Sequence, residues 1–303
     1  MAIFWDGYAD VTSVATALSQ IGCRLQNTHP KLKETAMDVR GYPTGPIDAK
    51  GAFTSEIDLP PIIKSGPLNT LAESNRPHIV DQPGMRHKYL PLHHDPASGA
   101  ISTGGRYLFR EYEDATKFRD FLEAKVFPGE QTTFWKRPFF LNSVRFAWRV
   151  TDAYDFAPIT THALNRFERY SVPDAKFEAR LPELFPAFLA VARQLDLAHV
   201  SLMFQPEHNL VGVLTAAAWE DQQTSSFDTI RSSTDALALR GSVSYARLTE
   251  LGARKIFDRT SLNLAIWLPL SERAGGSPVI WPNSPPIPLP GVEHLALAQP
   301  ELA

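Results

Sequence analysis

One succession of elements restricts this chain's fold more than any other feature. Between Thr161 and Leu248 the sequence reads strand, helix, strand, strand, helix, strand. Thr161–Tyr170 has strand character. Pro182–Leu195 is a helix opened by Pro182, whose missing N–H costs nothing in a first turn. Ala198–Gln205 and Leu210–Trp219 are strands joined by the polar turn Pro206–Asn209. Ser225 or Ser226 caps a helix that runs to Leu239, Gly241 stops it, and Ser242–Leu248 closes the unit. Arg259–Leu268 adds a further strand, alternating Leu262, Leu264, Ile266 and Leu268 against Asn263, Ala265 and Trp267. The order β-α-β-β-α-β predicts a ferredoxin-like α+β unit with helices on one face of an antiparallel sheet.

The region upstream offers part of a second copy. Arg106–Tyr112 is a strand, Asp114 opens a helix through Phe127, and Phe139–Val150 ends in clean alternation, with Val144, Phe146, Trp148 and Val150 on one face. A second helix is missing before Thr161, so the repeat is incomplete, but its layout predicts a tandem or pseudo-duplicated α+β barrel. Ten of the 25 prolines precede Gly104 and eight follow Leu268. Proline removes a backbone donor, so both ends should be irregular. The expected division is residues 1–104, with a short strand Ala2–Trp5, a helix Asp10–Ile21 and a proline-rich arm from residue 27; 105–160, a divergent first unit; 161–268, the second unit plus one strand; and 269–303, a proline-rich tail.

Composition removes several classes of function. A net charge of -3 and a pI near 6.3 leave no basic field for nucleic acid. The lone Cys23 permits neither an internal disulfide nor a cysteine zinc site. Without a long apolar run or a basic leader, the expectation is a cytoplasmic protein with no membrane partner.

Leu164-Asn165-Arg166-Phe167-Glu168, then a helix, then His199-Val200-Ser201-Leu202, then Val213 to Trp219-Glu220-Asp221 and the helix start Ser225–Arg231, resembles the dimeric α+β barrel superfamily. It looks most like the antibiotic-biosynthesis-type monooxygenases. The resemblance implies two four-stranded sheets closing a barrel, between two chains or between tandem copies, and a small apolar ligand on the concave face between sheet and helices. It also implies a homodimer or higher homo-oligomer. Such proteins include cofactor-free oxygenases of polycyclic phenols, haem-degrading enzymes, haem enzymes, lactone isomerases and non-catalytic binders. Haem-using relatives place a histidine on the second helix of the unit. Ser225–Leu239 has none, so the expectation is no cofactor, with haem as the alternative.

Four groups of residues carry candidate chemistry. His162 and Arg166 share a strand face with Glu168. If Leu164 faces the barrel, His162 is a neutral base and Arg166 steadies an anion; otherwise they form a salt-bridged surface. Arg149, with Arg106, Arg110 and Arg145, offers forked hydrogen bonds to a carboxylate or phenolate, or simply marks a solvent face. Trp148, Phe146, Tyr112, Arg110, Trp219 and Phe204 would line a pocket for a small hydrophobic or aromatic substrate, or serve as core. His87, His93 and His94, with Asp95, could hold a metal or haem, although adjacent residues on an extended chain point to opposite sides; a structural loop is the simpler account. Glu207-His208 reads as a hairpin turn. Together these features predict an enzyme that abstracts a proton from a small cyclic compound, followed by oxygenation, isomerisation or elimination. A haem-dependent dehydratase, oxygenase or peroxidase and a non-catalytic binding or assembly protein stand as alternatives.

Overall fold

The computed structural model describes residues 44–60, 74–80, 82–94, 101–157, 164–217 and 246–267, without the side chains of 87, 94, 217 and 262–267. The Ala2–Trp5 strand, the Asp10–Ile21 helix, His162, Trp219, the Ser225–Leu239 helix and the 269–303 tail lie outside the described residues.

The strands are β1 (Gly45–Pro46), β2 (Gly51–Leu59), β3 (Met85–His94), β4 (Ile101–Phe109), β5 (Asn142–Asp155), β6 (Leu164–Ser171), β7 (Leu197–Gln205), β8 (Leu210–Ala217) and β9 (Arg254–Trp267). The helices are α1 (Tyr112–Ala124) and α2 (Leu181–Gln194), with short helical turns at 74–79 and 246–250. The sheet runs β1-β5-β2-β4-β3-β9-β6-β8-β7, and a further β5–β7 pairing joins its ends. Apart from the short β1, the strands therefore form a closed ring.

That ring has a repeat. β5-β2-β4-β3 and β9-β6-β8-β7 each place their strands in the spatial order fourth, first, third, second, which is the ferredoxin-like order. The second strand of each half pairs with the fourth of the other, through β3–β9 and β5–β7. The fold is thus an α+β barrel of two ferredoxin-like halves, closed within one chain. Closure gives every long strand two neighbours and leaves no open edge.

Two boundaries differ from the sequence expectation. The first half begins at Gly51, so the supposed arm before residue 105 supplies β2, β3 and the start of β4, and the first half is complete rather than divergent. Pro91 sits inside β3 at a register shift between Leu90 and Pro91, where a strand tolerates proline. The closing strand of the second half is β9, not Ser242–Leu248. Residues 246–250 are helical, and what looked like an extra strand completes the unit.

The strands separate two cores. Ala52, Tyr89, Leu108, Trp148, Phe167, Met203 and Leu214 come from β2 to β8 in turn and meet in one buried cluster, with Phe257 of β9 against it. One contribution from each ring strand identifies this cluster as the barrel interior. The alternate residues, including Phe53, Ile57, Phe109, Val200, Leu202 and Phe204, form the outer core. Ala115, Phe118 and Leu122 of α1, and Leu181, Phe185 and Phe188 of α2, pack there. Gly104 has φ +155, and a β-carbon there would collide with the Ser55 carbonyl oxygen, so the position requires glycine.

Candidate functional site

A cavity opens on the outer face of the first half, between its sheet and the elements that cover it. It encloses about 550 Å³ of space not filled by protein atoms, part of it open to solvent. β2 contributes Ser55 and Ile57, β3 Lys88 and Leu90, and β4 Thr103 and Tyr107. Asn75 and Ile79 come from the 74–79 turn, Leu122 from α1, and Phe134, Trp135, Arg137 and Phe140 from the loop before β5. The walls are largely aromatic and aliphatic with a few polar groups, the usual character of a small-molecule site.

Those polar groups are mostly donors. The Arg137 fork is held by Glu130, with Nε 3.0 Å from Oε2 and Nη2 2.6 Å from Oε1, and Nη2 also reaches Asn75 Oδ1 at 3.3 Å. Its guanidinium lies 4.3 Å from the Phe134 ring centre. Nη1 has no hydrogen-bond acceptor among the described residues. Trp135 Nε1 is buried without a partner. The Tyr107 hydroxyl likewise has no hydrogen bond among the described residues, and Lys88 Nζ stands 5.1 Å from the centre of its ring. Burial pushes the Tyr107 phenol well above its ordinary range while Arg137 pulls it down, so Tyr107 is a neutral donor, not a base. Burial lowers the Arg137 pKa and Glu130 opposes the shift.

No histidine or cysteine lines this cavity among the described residues, so its lining offers haem no imidazole or thiolate ligand. The described residues also contain no group of three or more His, Cys, Asp or Glu placed to hold a metal. His93 sits on β3 with Nδ1 2.7 Å from the Thr260 carbonyl oxygen. His87 and His94 lie on the same strand, with side chains outside the described set.

The residues singled out from sequence do not assemble into one site. Trp148 and Phe146 face the barrel interior, whereas Phe204 is in the outer core of the second half. Arg149 is exposed, paired with Glu178 at 3.1 Å and 5.4 Å from the Tyr112 ring centre. Arg110 is exposed just beyond β4. Arg166 does not face the interior. Leu164 belongs to the outer core, so the even residues of β6 point outward, and it is Phe167 that enters the barrel. Glu207 and His208 form the turn as expected, with Gln205 bonded to both.

Sequence reasoning missed Lys88, Tyr107, Trp135, Arg137 and Asn75 as a group. A signal existed at Gly105, whose absent β-carbon leaves the space that the Tyr107 ring occupies along the same strand face. Another was the run Phe134-Trp135-Lys136-Arg137, where two aromatic residues are followed by two basic ones.

Two further polar clusters occur. On the outer face of the second half, Arg166 pairs with Asp258 and lies 3.2 Å from Glu168, Lys255 lies 2.7 Å from Asp258, and Tyr170 donates to Glu168 at 3.0 Å. Burial raises the Glu168 pKa. Burial would raise Asp258 too, but hydrogen bonds from Arg166 and Lys255 outweigh it and hold Asp258 below its usual value of 3.8. A depressed carboxyl stabilises the fold above its unfolded pKa and loses that contribution as the pH falls through its folded pKa. The unfolding temperature should therefore fall less steeply below pH 3.8 in Asp258→Asn than in the parent, as a thermal unfolding series across the acid range would show. In the barrel wall, Asp155 lies 2.6 Å from His199 Nδ1, and His199 Nε2 lies 3.1 Å from Ser201 Oγ. This has the order of a carboxylate–imidazole–hydroxyl relay, but His199 and Ser201 are both 0 % exposed, which closes them to a substrate.

No protein-family model and no curated protein matches the chain. Among solved structures it is similar to an anthrone oxidase-like protein, at 13% identity over 75% of this chain and 94% of that one, with a TM-score of 0.47. It is also similar to a candidate monooxygenase of Lactobacillus acidophilus, at 12% identity over 72% and 96%, with a TM-score of 0.43. A haem-degrading enzyme of Listeria monocytogenes shares 10% identity over 71% and 99%, with a TM-score of 0.32. At such identities the fold assignment rests on the strand order of the chain itself. Among the described residues no helix is long and apolar enough to cross a membrane.

Proposed function

We propose that the chain is an oxygenase-type enzyme whose outer-face cavity binds a small, flat aromatic compound through its oxygen substituents. The observation that carries this reading is the set of donors around one apolar cavity. Trp135 Nε1 is buried without an acceptor, which costs about 1–3 kcal/mol, and Tyr107 and Arg137 Nη1 add two donors with no acceptor among the described residues. A ligand phenol or carbonyl oxygen supplies the acceptor, while Phe134, Phe140 and Trp135 pack on its rings.

The chemistry follows from the charges. Lys88 and Arg137 favour the phenolate or enolate form of a bound substrate, so its proton leaves without a strong protein base. The resulting electron-rich ring carbon is the site of reaction with oxygen. Oxidation of a ring methylene by O₂ to a carbonyl plus water balances without an external reductant. Isomerisation or elimination would share the deprotonation and differ in consuming no oxygen.

Hydroxylated naphthalenes and anthracenes, screened by thermal shift and then by oxygen uptake, test the reading. Ligands that stabilise the parent should bind about tenfold to a hundredfold more weakly to Tyr107→Phe or Trp135→Phe. Binding that ignores both substitutions would remove the cavity from consideration, and binding without oxygen uptake would overturn the oxygenase reading and leave isomerisation, elimination or a non-catalytic binder.

A further inference from the structure

Three arginines gather in one part of the barrel interior around a single buried carboxylate. Arg106 (β4), Arg169 (β6) and Arg259 (β9) alternate with outer-core residues and so point inward. Their cross-strand partners, Tyr89 for Arg106 and Phe167 for Arg259, face the interior as well. Glu56 of β2 is their main counter-charge, and both its oxygens are engaged. Oε1 pairs with Arg106 Nη2, and Oε2 lies 3.1 Å from Arg259 Nη1. Arg106 also donates to the Ser55 carbonyl at 2.7 Å. Asp58 stands 3.7 Å from Arg259, with a side chain 42% exposed to solvent.

Arg169 is left over. It is 8% exposed, its Nε is buried without a partner, and it makes no hydrogen bond or ion pair among the described residues. Its guanidinium carbon lies over Phe257, 3.9 Å from the ring centre, and 5.5 Å from that of Phe146. Stacking occupies the faces of a guanidinium and leaves its in-plane N–H edges for forked bonds. The cross-strand neighbour of Arg169 is Gly212, and Met203 and Trp148 fill the place a side chain would take there. Burial, with Arg106 and Arg259 close by, lowers the Arg169 pKa to about 10 against the pull of Glu56, so the group remains a cation at neutral pH. A buried, unpaired cation is costly enough that folded proteins seldom keep one without a counter-charge.

We infer that the mouth of the barrel interior, between Arg169, Arg259 and the half-buried rings of Phe146 and Phe257, binds a small oxyanion, with a carboxylate as the preferred chemistry. Two carboxylate oxygens match the free edge of Arg169 and the guanidinium of Arg259, and the two rings suit an aromatic body behind the carboxylate. This site lies on the opposite side of the β-sheet from the donor-lined cavity and does not depend on its role.

Titration of the full chain with sodium benzoate, sodium acetate and sodium phosphate, at ionic strength fixed with sodium chloride, tests it by thermal unfolding and by calorimetry. Benzoate should give a saturable rise in unfolding temperature, and acetate or phosphate a weaker one. Arg169→Gln should weaken benzoate binding at least tenfold, whereas the surface change Arg119→Gln should leave it unaltered. Tyr107→Phe should also leave it unaltered, which separates this site from the outer cavity. If Arg169→Gln does not fold, Arg259→Gln, at a more exposed position, carries the same expectation. A parent that responds to every anion as it does to chloride, or an Arg169→Gln variant that keeps the saturable benzoate response, overturns the inference. A phosphate response stronger than that of benzoate overturns the carboxylate preference.

Discussion

Trp148→Ala should lower the unfolding free energy by about 3–5 kcal/mol, enough to threaten the fold of an average domain. Trp148 is fully buried in the barrel interior, its Nε1 donates to Thr54 Oγ1 at 2.8 Å, and its ring meets Phe146 and Phe167 edge-on at 5.6 and 5.8 Å. Truncation would open a hole that strands joined in a ring cannot collapse to fill, and would orphan the Thr54 hydroxyl. Urea denaturation should show a lower midpoint with an unchanged slope. The same experiment on Leu141→Ala, at a position 64% exposed, should move the midpoint very little. The result also decides between two roles for Trp148. A substrate-lining tryptophan would lose binding and keep stability; an interior strut would do the reverse.

That choice could not be made from sequence, for a physical reason. Alternation at Val144, Phe146, Trp148 and Val150 shows that a strand has two faces but not which face meets a cavity. Here the inner face is packed and the cavity lies on the outer one, so the aromatic residues expected to line a pocket became core. The second half was legible because β6, α2, β7 and β8 are uninterrupted and the β7–β8 turn is short. The first half was hidden by β2 and β4. Their sequences, Gly51-Ala52-Phe53-Thr54-Ser55-Glu56 and Ser102-Thr103-Gly104-Gly105-Arg106, look like loop. In the ring both faces of these strands are buried, so polar residues such as Ser55, Glu56, Thr103 and Arg106 lie in the interior or beside the cavity, and the hydrophobic alternation disappears. Arg137 and Asn75 belong to loop and turn segments with no periodicity to read, and only the folded chain brings them to Tyr107.

Glu56→Gln should be as costly as the loss of Trp148, about 3–5 kcal/mol, because it removes the carboxylate that Arg106 and Arg259 share and leaves Arg259 with the half-exposed Asp58 and Arg106 with no ion pair among the described residues. Arg106 is 1% exposed and its Nε already lacks a partner, so water cannot easily replace what the carboxylate supplied. The direction of the accompanying anion effect separates charge imbalance from simple disruption. If the interior is short of negative charge, Glu56→Gln should recover more of its unfolding temperature than the parent gains on adding benzoate, with a lower half-saturating concentration. If the loss reflects broken packing alone, benzoate and chloride should act alike on the variant. Arg106→Met with Glu56→Met completes the comparison. Removing both partners should cost less than removing Glu56 alone, because fewer buried charges then stand unpaired, and the difference, read as a double-mutant cycle, measures how strongly Glu56 and Arg106 are coupled across the neighbouring strands β2 and β4.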